Sequence, residues 1–216
     1  MRVLLVAPPG AGKGTQGTVI AAHFNIPHIA TGDLLRDHVA RQTELGRLVQ
    51  QHLDRGDLVP DEIVLDMVRE AFIAAKEGGG GYVLDGMPRN LAQAKALYRI
   101  GRALDMTADV ALHLQADDGE LIRRLLARAA LEHRADDTEE VIRRRLALYH
   151  EVTHPIIDWY AARGILVSID AMQPVERVGR QILTALEAMK PLLDHVPEYL
   201  RRPVDLTGLG AAFGDR

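Results

Sequence analysis

The stretch GAGKGT at residues 10–15 sets three glycines, a lysine and a hydroxyl just after the apolar run Val3–Val6. Without side chains to obstruct them, the main-chain N–H groups from Gly10 through Ala11, Gly12 and Gly14 to Thr15 can ring a phosphate. The helix that follows adds positive potential at the same point. Lys13 can reach outer phosphates as a mobile point charge, and Thr15 offers a hydroxyl to Mg2+ or to a phosphate oxygen. The chain has four lysines, at 13, 76, 95 and 190, against 22 arginines, so a lysine in this slot carries weight. A glycine-rich structural turn is the plain alternative. The usual phosphate-loop pattern is broken twice, by Ala7 in its first glycine slot and by Gly14 in its Ser/Thr slot.

A second half-site is GYVLDG at 81–86, an apolar strand that ends in Asp85. In phosphate-loop enzymes such a carboxylate sits beside the loop and organises hydrated Mg2+. An Asp closing a strand is also an ordinary turn residue, and the loop at 10–15 is what gives Asp85 the other meaning. Further on, Arg124 and Arg128 are four apart and share one helix face. A polar break at 129–138, AALEHRADDT, separates them from a second Arg-rich helix bearing Arg145. An Arg-rich helix is commonly just a solvated face, and Arg123 and Arg144 are adjacent alternatives to Arg124 and Arg145.

The elements that must hold these groups follow from hydropathy. Val3–Val6, Pro27–Ala30, Tyr82–Leu84, Val110–Leu114 and Ile165–Ile169 read as buried parallel strands separated by helical periodicity, which argues for a parallel sheet covered on both faces. Residues 31–75 carry three helical stretches: TGDLLRDHVARQ, TELGRLVQQHLDRG and PDEIVLDMVREAFIAAKE. Thr31 or Asp33 can cap the first and Thr43 the second, while Pro60–Asp61 opens the third. Asp137 or Thr138 would cap the helix after the polar break. Beyond about Met189, Pro191, Pro197 and Pro203 predict no continuous helix, only a loosely docked tail.

With 216 residues, 47% of them hydrophobic, the chain can bury one substantial core. A net charge of −4 gives no global field for nucleic acid or anionic membrane. The absence of cysteine removes disulfides and thiolate zinc sites and fits a reducing cytosol. The first apolar run is too short for a signal peptide or a membrane span, so a cytoplasmic protein is expected.

Taken together, the motifs resemble the adenylate kinase family of nucleoside monophosphate kinases. APPGAGKGTQ is similar to that family's GPPGAGKGTQ, ATGDLLR to its STGDLLR, GDLVPDEIV to its G-LVPDE-V segment, and LDGMPRNLAQA to its LDGFPR---QA. RRLLAR, RADD and RRRL resemble its arginine-bearing lid. The resemblance covers about residues 1–188. It implies a three-layer α/β/α phosphate-loop fold with a core at 1–30, 76–128 and 139–188, a helical monophosphate-binding insertion at 31–75 and a short lid at about 129–138. Residues 189–216 form a tail of unknown role.

The implied activity is transfer of the γ-phosphoryl of Mg-ATP to AMP, giving two ADP, by a monomer. The resemblance assigns Thr31, Gly32, Arg36, Leu58, Val59, Gly86, Arg89, Gln93, Arg134 and Arg145 to the acceptor. Arg36 and Arg89 would grip its phosphate, Gln93 an adenine edge, and Thr31 would lie beside the base. The loop residues, Arg124, Arg128 and Gln173 fall to the donor, and Asp85, Asp33 and Thr15 to Mg2+ through water. Lys13, Arg89, Arg124, Arg134 and Arg145 would surround the transferring group. No proton-transfer dyad is expected, because the acceptor phosphate is already an ionised nucleophile. Two rivals remain: a kinase for UMP/CMP or a specialised nucleotide, and a non-catalytic nucleotide-binding regulator. The chain departs from the family at Ala7 (Gly), Ala30 (Ser), Met87 (Phe) and His133 (Gly). His133 stands without other zinc ligands, in a lid lacking the zinc-holding insertion.

Overall fold

The computed structural model describes residues 1–55, 57–132 and 138–195. Five strands, β1 (Arg2–Val6), β2 (His28–Ala30), β3 (Tyr82–Asp85), β4 (Val110–Gln115) and β5 (Leu166–Asp170), form one parallel sheet in the order β2-β3-β1-β4-β5. These are the five predicted strands, with ends moved by one residue. Pro27 and Ile165 fall just outside, yet their carbonyls still accept from Val83 and Ala111.

Strand periodicity divides the core. Successive side chains alternate across the sheet, so Val3 and Leu5 enter one apolar cluster while Leu4 and Val6 enter the other. On the first face lie α1 (Lys13–Phe24), α6 (Asp118–Glu132), α7 (Glu139–Leu148) and α9 (Val175–His195), through Ile20, Leu121, Ile142 and Ile182. On the second lie α2 (Thr31–Ala40), α3 (Glu44–Arg55), α4 (Asp61–Glu77), α5 (Leu91–Leu104) and α8 (Pro155–Ala161), through Leu35, Val49, Phe72, Leu97 and Ile156. Each fully buried large side chain contributes about 2 kcal/mol from area removed from water. Phe72 also stacks on Tyr82 with ring centroids 4.3 Å apart.

Two local expectations need correction. Neither Thr31 nor Asp33 caps α2: the flanking residue is Ala30, which makes no side-chain cap bond. Thr31 is fully buried, and its hydroxyl donates instead to the Asp85 carbonyl (3.1 Å), joining α2 to the end of β3. Asp33 in the first turn pairs with Arg36. The other correction is Pro191, which lies inside α9. Proline forfeits one backbone donor, but Met189 (2% exposed) and Leu193 pack on the first core cluster and carry the helix to His195. The remaining caps are as predicted where the chain is described: Thr43 accepts from Gly46 N (3.0 Å) and Thr138 from Val141 N (3.3 Å).

Candidate active site

A cavity of about 550 Å3 opens where β1, β2 and β3 end, the crevice at which open α/β sheets bind ligands. Its base is the 7–15 loop and the start of α1. Gly10 and Gly12 take φ of +84° and +88°, values that a side chain would strain. At Gly10 a Cβ would also come within 2.9 Å of Leu125 Cγ. Helix α1 starts after Gly12 with no side-chain cap and no acidic residue in its first turn, so its N–H groups face the cavity uncompensated. Ala7 is absent from the residues with positive φ, which explains why alanine suits that slot, and its carbonyl serves another purpose.

That carbonyl and the one at Pro8 accept from Lys13 Nζ at 2.9 and 3.0 Å. Withdrawal from water lowers the Lys13 pKa to about 8. Asp85 acts in the opposite direction, and Arg89 and Arg128 reinforce the lowering. Around the lysine stand Arg36, Arg89, Arg124, Arg128 and Arg145, so six cations line the cavity against the carboxylates of Asp33, Asp57 and Asp85. Desolvation also lowers the Arg89 pKa, Asp85 opposes it, and Arg145 and Arg36 add to it; the guanidinium stays charged. Mutual repulsion among groups held this close is relieved by a polyanion.

The helix registers are now readable. Arg124 lines the cavity, held by Glu120 Oε1 (2.7 Å) and the Ala171 carbonyl (3.0 Å), whereas Arg123, also bonded to Glu120, is exposed and does not line it. Arg145 lines the cavity and donates to the Leu53 carbonyl (3.4 Å), while Arg144 pairs with Asp57. Arg134 and His133 lie outside the described residues.

Of the residues given to the acceptor, Gly32, Arg36, Leu58, Gly86, Arg89 and Arg145 line the cavity. Val59 does not; it is 6% exposed in the second core cluster. Gln93 is buried and engaged at both ends of its amide. Its Nε2 donates to Asp61 Oδ1 (2.6 Å), and its Oε1 accepts from Arg89 N (2.7 Å). One amide hydrogen and one lone pair are left over, but neither Gln93 nor Thr31 is among the residues lining the cavity. On the donor side, Gly10, Gly12, Lys13, Gly14, Thr15 and Arg128 line the cavity and Ala11 is buried beneath them. Gln173 lies away from it, its Nε2 on Asp170 Oδ2 (3.3 Å) and its Oε1 buried without a partner.

Sequence reading missed Leu53, Asp57, Tyr149 and Thr153, which also line the cavity. The last two come from a π-helical turn, Tyr149–Thr153, that no 3.6-residue period foretells. Tyr149 Oη lies 3.2 Å from Nε2 of His113, a buried β4 residue. Burial first, and His154 second, lower the His113 pKa to about 4. In the unfolded chain it would titrate near 6.5, so at intermediate pH the unfolded state binds the extra proton. Stability is therefore present above pH 6.5 and is lost as pH falls toward 4, by about 3 kcal/mol in total. His113→Gln is expected to flatten this part of the stability–pH curve, measured by urea unfolding at pH 7.5, 5.5 and 4.5. Parallel curves for both proteins would refute it.

Metal binding by this oxygen-rich rim is chemically apt. Asp85, Asp33 and Thr15 present hard oxygens to the cavity, and Mg2+ binds through one or two carboxylates plus substrate phosphates rather than an all-protein cage. Among the described residues no group of three or more His, Asp or Glu gathers to hold a metal alone.

A family model described as adenylate kinase matches residues 5–165. A protein described as adenylate kinase from Thermobifida fusca is 49% identical over 188 residues, covering 87% of this chain and 99% of the relative. Others of the same description come from Kocuria rhizophila, 46% identical over 186 residues (86% and 98% covered), and Leptospira biflexa, 43% identical over 185 (86% and 99%).

Proposed function

The chain belongs to the adenylate kinase family, and on that premise we propose that the cleft carries the γ-phosphoryl of ATP to AMP, giving two ADP, with Lys13 and the five arginines as its working groups. The observation that carries this assignment is the convergence of six cations on one cavity at the open N-terminus of α1. The AMP phosphate needs no base. What it needs is a fixed line of attack and cancellation of charge on three equatorial oxygens. Arg36 and Arg89, at the α2 and β3 ends, suit bidentate contact with the acceptor phosphate. Lys13 with Arg124 and Arg128 suits the donor phosphates, while Arg145, and Arg134 with it, belong to the acceptor side and close on the transferring group between the two. Mg2+, held through water by Asp85, Asp33 and Thr15, supplies charge neutralisation on the transferring phosphates when bound.

Thr31 and Gln93 are assigned to the acceptor base: Thr31 is held by the Asp85 carbonyl, and Gln93, bonded to Asp61 and Arg89 N, keeps one amide hydrogen and one lone pair, the donor and acceptor that an adenine edge requires. Gln173 is assigned to the donor side, beside the Ala171 carbonyl that holds Arg124. Residues 31–75 act as a clamp over AMP and residues 129–138 as a clamp over ATP, each excluding water as a competing acceptor. A monomer in the cytoplasm completes the reading.

A coupled assay with ATP against AMP, GMP, CMP and UMP tests the proposal. AMP is expected to be turned over at least about tenfold faster than the others, in line with a site that hydrogen-bonds one base edge. Comparable turnover of UMP or CMP would reassign the acceptor. Binding of the bisubstrate Ap5A with no turnover of any pair would make the chain a regulator.

A further inference from the structure

The chain between α7 and α8 departs from the α-helix where it meets the cleft. At Tyr149–Thr153 the backbone makes a π turn, closed by His154 N donating to the Tyr149 carbonyl (2.7 Å). A π turn costs hydrogen-bond quality and persists where it places side chains that an α-helix would misdirect. Here it turns both Tyr149 and Thr153, 6% and 8% exposed, toward the cavity. Tyr149 anchors the turn to the sheet at His113. Thr153 reaches the other way: its Oγ1 donates to the Arg89 carbonyl at 2.7 Å, across 64 residues.

Arg89 is otherwise poorly placed to hold still. It sits in the loop between β3 and the Asn90 cap of α5, outside any regular element. Three bonds fix it: its N–H to Gln93 Oε1 (2.7 Å), its Nε to the Gly86 carbonyl (2.7 Å), and its carbonyl to Thr153. Gln93 and Gly86 belong to the same stretch of chain as Arg89. Thr153 alone of these three partners ties it to a distant part of the chain, the π turn after α7.

We propose that Thr153 is a positioning residue for phosphoryl transfer: its hydroxyl, set by the π turn, fixes the main chain of Arg89 and so aims the guanidinium at the acceptor phosphate. This rests on the assignment of Arg89 to that phosphate. The hydroxyl touches no substrate; it acts through Arg89. A shift of the order of 1 Å at such a group costs ten- to a hundredfold in rate.

The test is a double-mutant cycle read by steady-state kinetics with AMP and ATP. Thr153→Val is expected to lower kcat/KM for the acceptor about tenfold, raising its KM while the donor KM stays within about twofold. Thr153→Ser, which keeps the hydroxyl, stays within about twofold of wild type. In an Arg89→Ala background, Thr153→Val costs less than about twofold, because the group it positions is gone, whereas in an Arg36→Ala background the tenfold loss persists. Should Thr153→Val not fold, Thr153→Ala carries the same expectations. A tenfold loss that persists in the Arg89→Ala background, or equal losses for Val and Ser, would overturn the role of Thr153 alone. Full activity of the Arg89→Ala single variant would overturn the reading of Arg89 and this proposal with it.

Discussion

Lys13→Met lowers kcat by about a thousandfold or more and leaves the protein folded. The size follows from position. The ammonium is held 2.9 and 3.0 Å from the Ala7 and Pro8 carbonyls at the open end of α1, where the loop amides converge. A charge at that place acts on the transferring phosphoryl in a water-poor cleft, where electrostatic stabilisation is worth most. A thousandfold loss corresponds to about 4 kcal/mol of transition-state stabilisation.

The same variant should not melt much earlier than wild type. Desolvation lowers the Lys13 pKa from 10.5 to about 8, so at pH 7 the folded protein bears the full cost of holding that charge, and methionine removes it. Against this stands the loss of one donor to two loop carbonyls, which cleft water can replace. Thermal melts at pH 7 are expected to agree within a few degrees. A loss of activity below tenfold, or a protein that no longer folds, would show that Lys13 is not the electrostatic centre of the loop.

The sequence exposes what local chemistry dictates and hides what distant contacts decide. The unbroken apolar run Val3–Val6 reveals a strand buried on both sides, because neighbouring residues must satisfy opposite faces of one sheet. The loop is legible because Gly10 and Gly12 occupy backbone conformations that side chains resist. Register on α6 is not legible: Arg123 and Arg124 are identical in type and both bond Glu120, and only the Ala171 carbonyl, 47 residues on, draws Arg124 into the cleft. Thr31 has the type of a helix cap, but the Asp85 carbonyl, 54 residues away, claims its hydroxyl. Pro191 signals a stop that packing of Met189 and Leu193 overrides. Tyr149 and Thr153 are missed because a π turn breaks the period that pattern reading depends on.

Arg89→Ala is expected to cost at least about a hundredfold in kcat/KM for AMP, as a raised AMP KM together with a lower kcat, with little change in the donor KM. A planar fork can hold two phosphate oxygens at once, and lysine cannot reproduce that geometry, so Arg89→Lys should recover only a small part of the loss. Arg36→Ala should be milder, because Arg36 already shares its charge with Asp33. Arg89 also feels Arg145 and Arg36 as like charges and Asp85 as its counterweight. Removing it therefore relieves repulsion in the ligand-free protein while taking away a contact that exists only when phosphate is bound. The expected signature is an unchanged or slightly higher Tm without nucleotide, together with a sharply reduced upward shift on adding AMP, since stabilisation by a ligand scales with its affinity for the folded state. A full AMP-induced shift in the variant would place the acceptor phosphate elsewhere in the cleft.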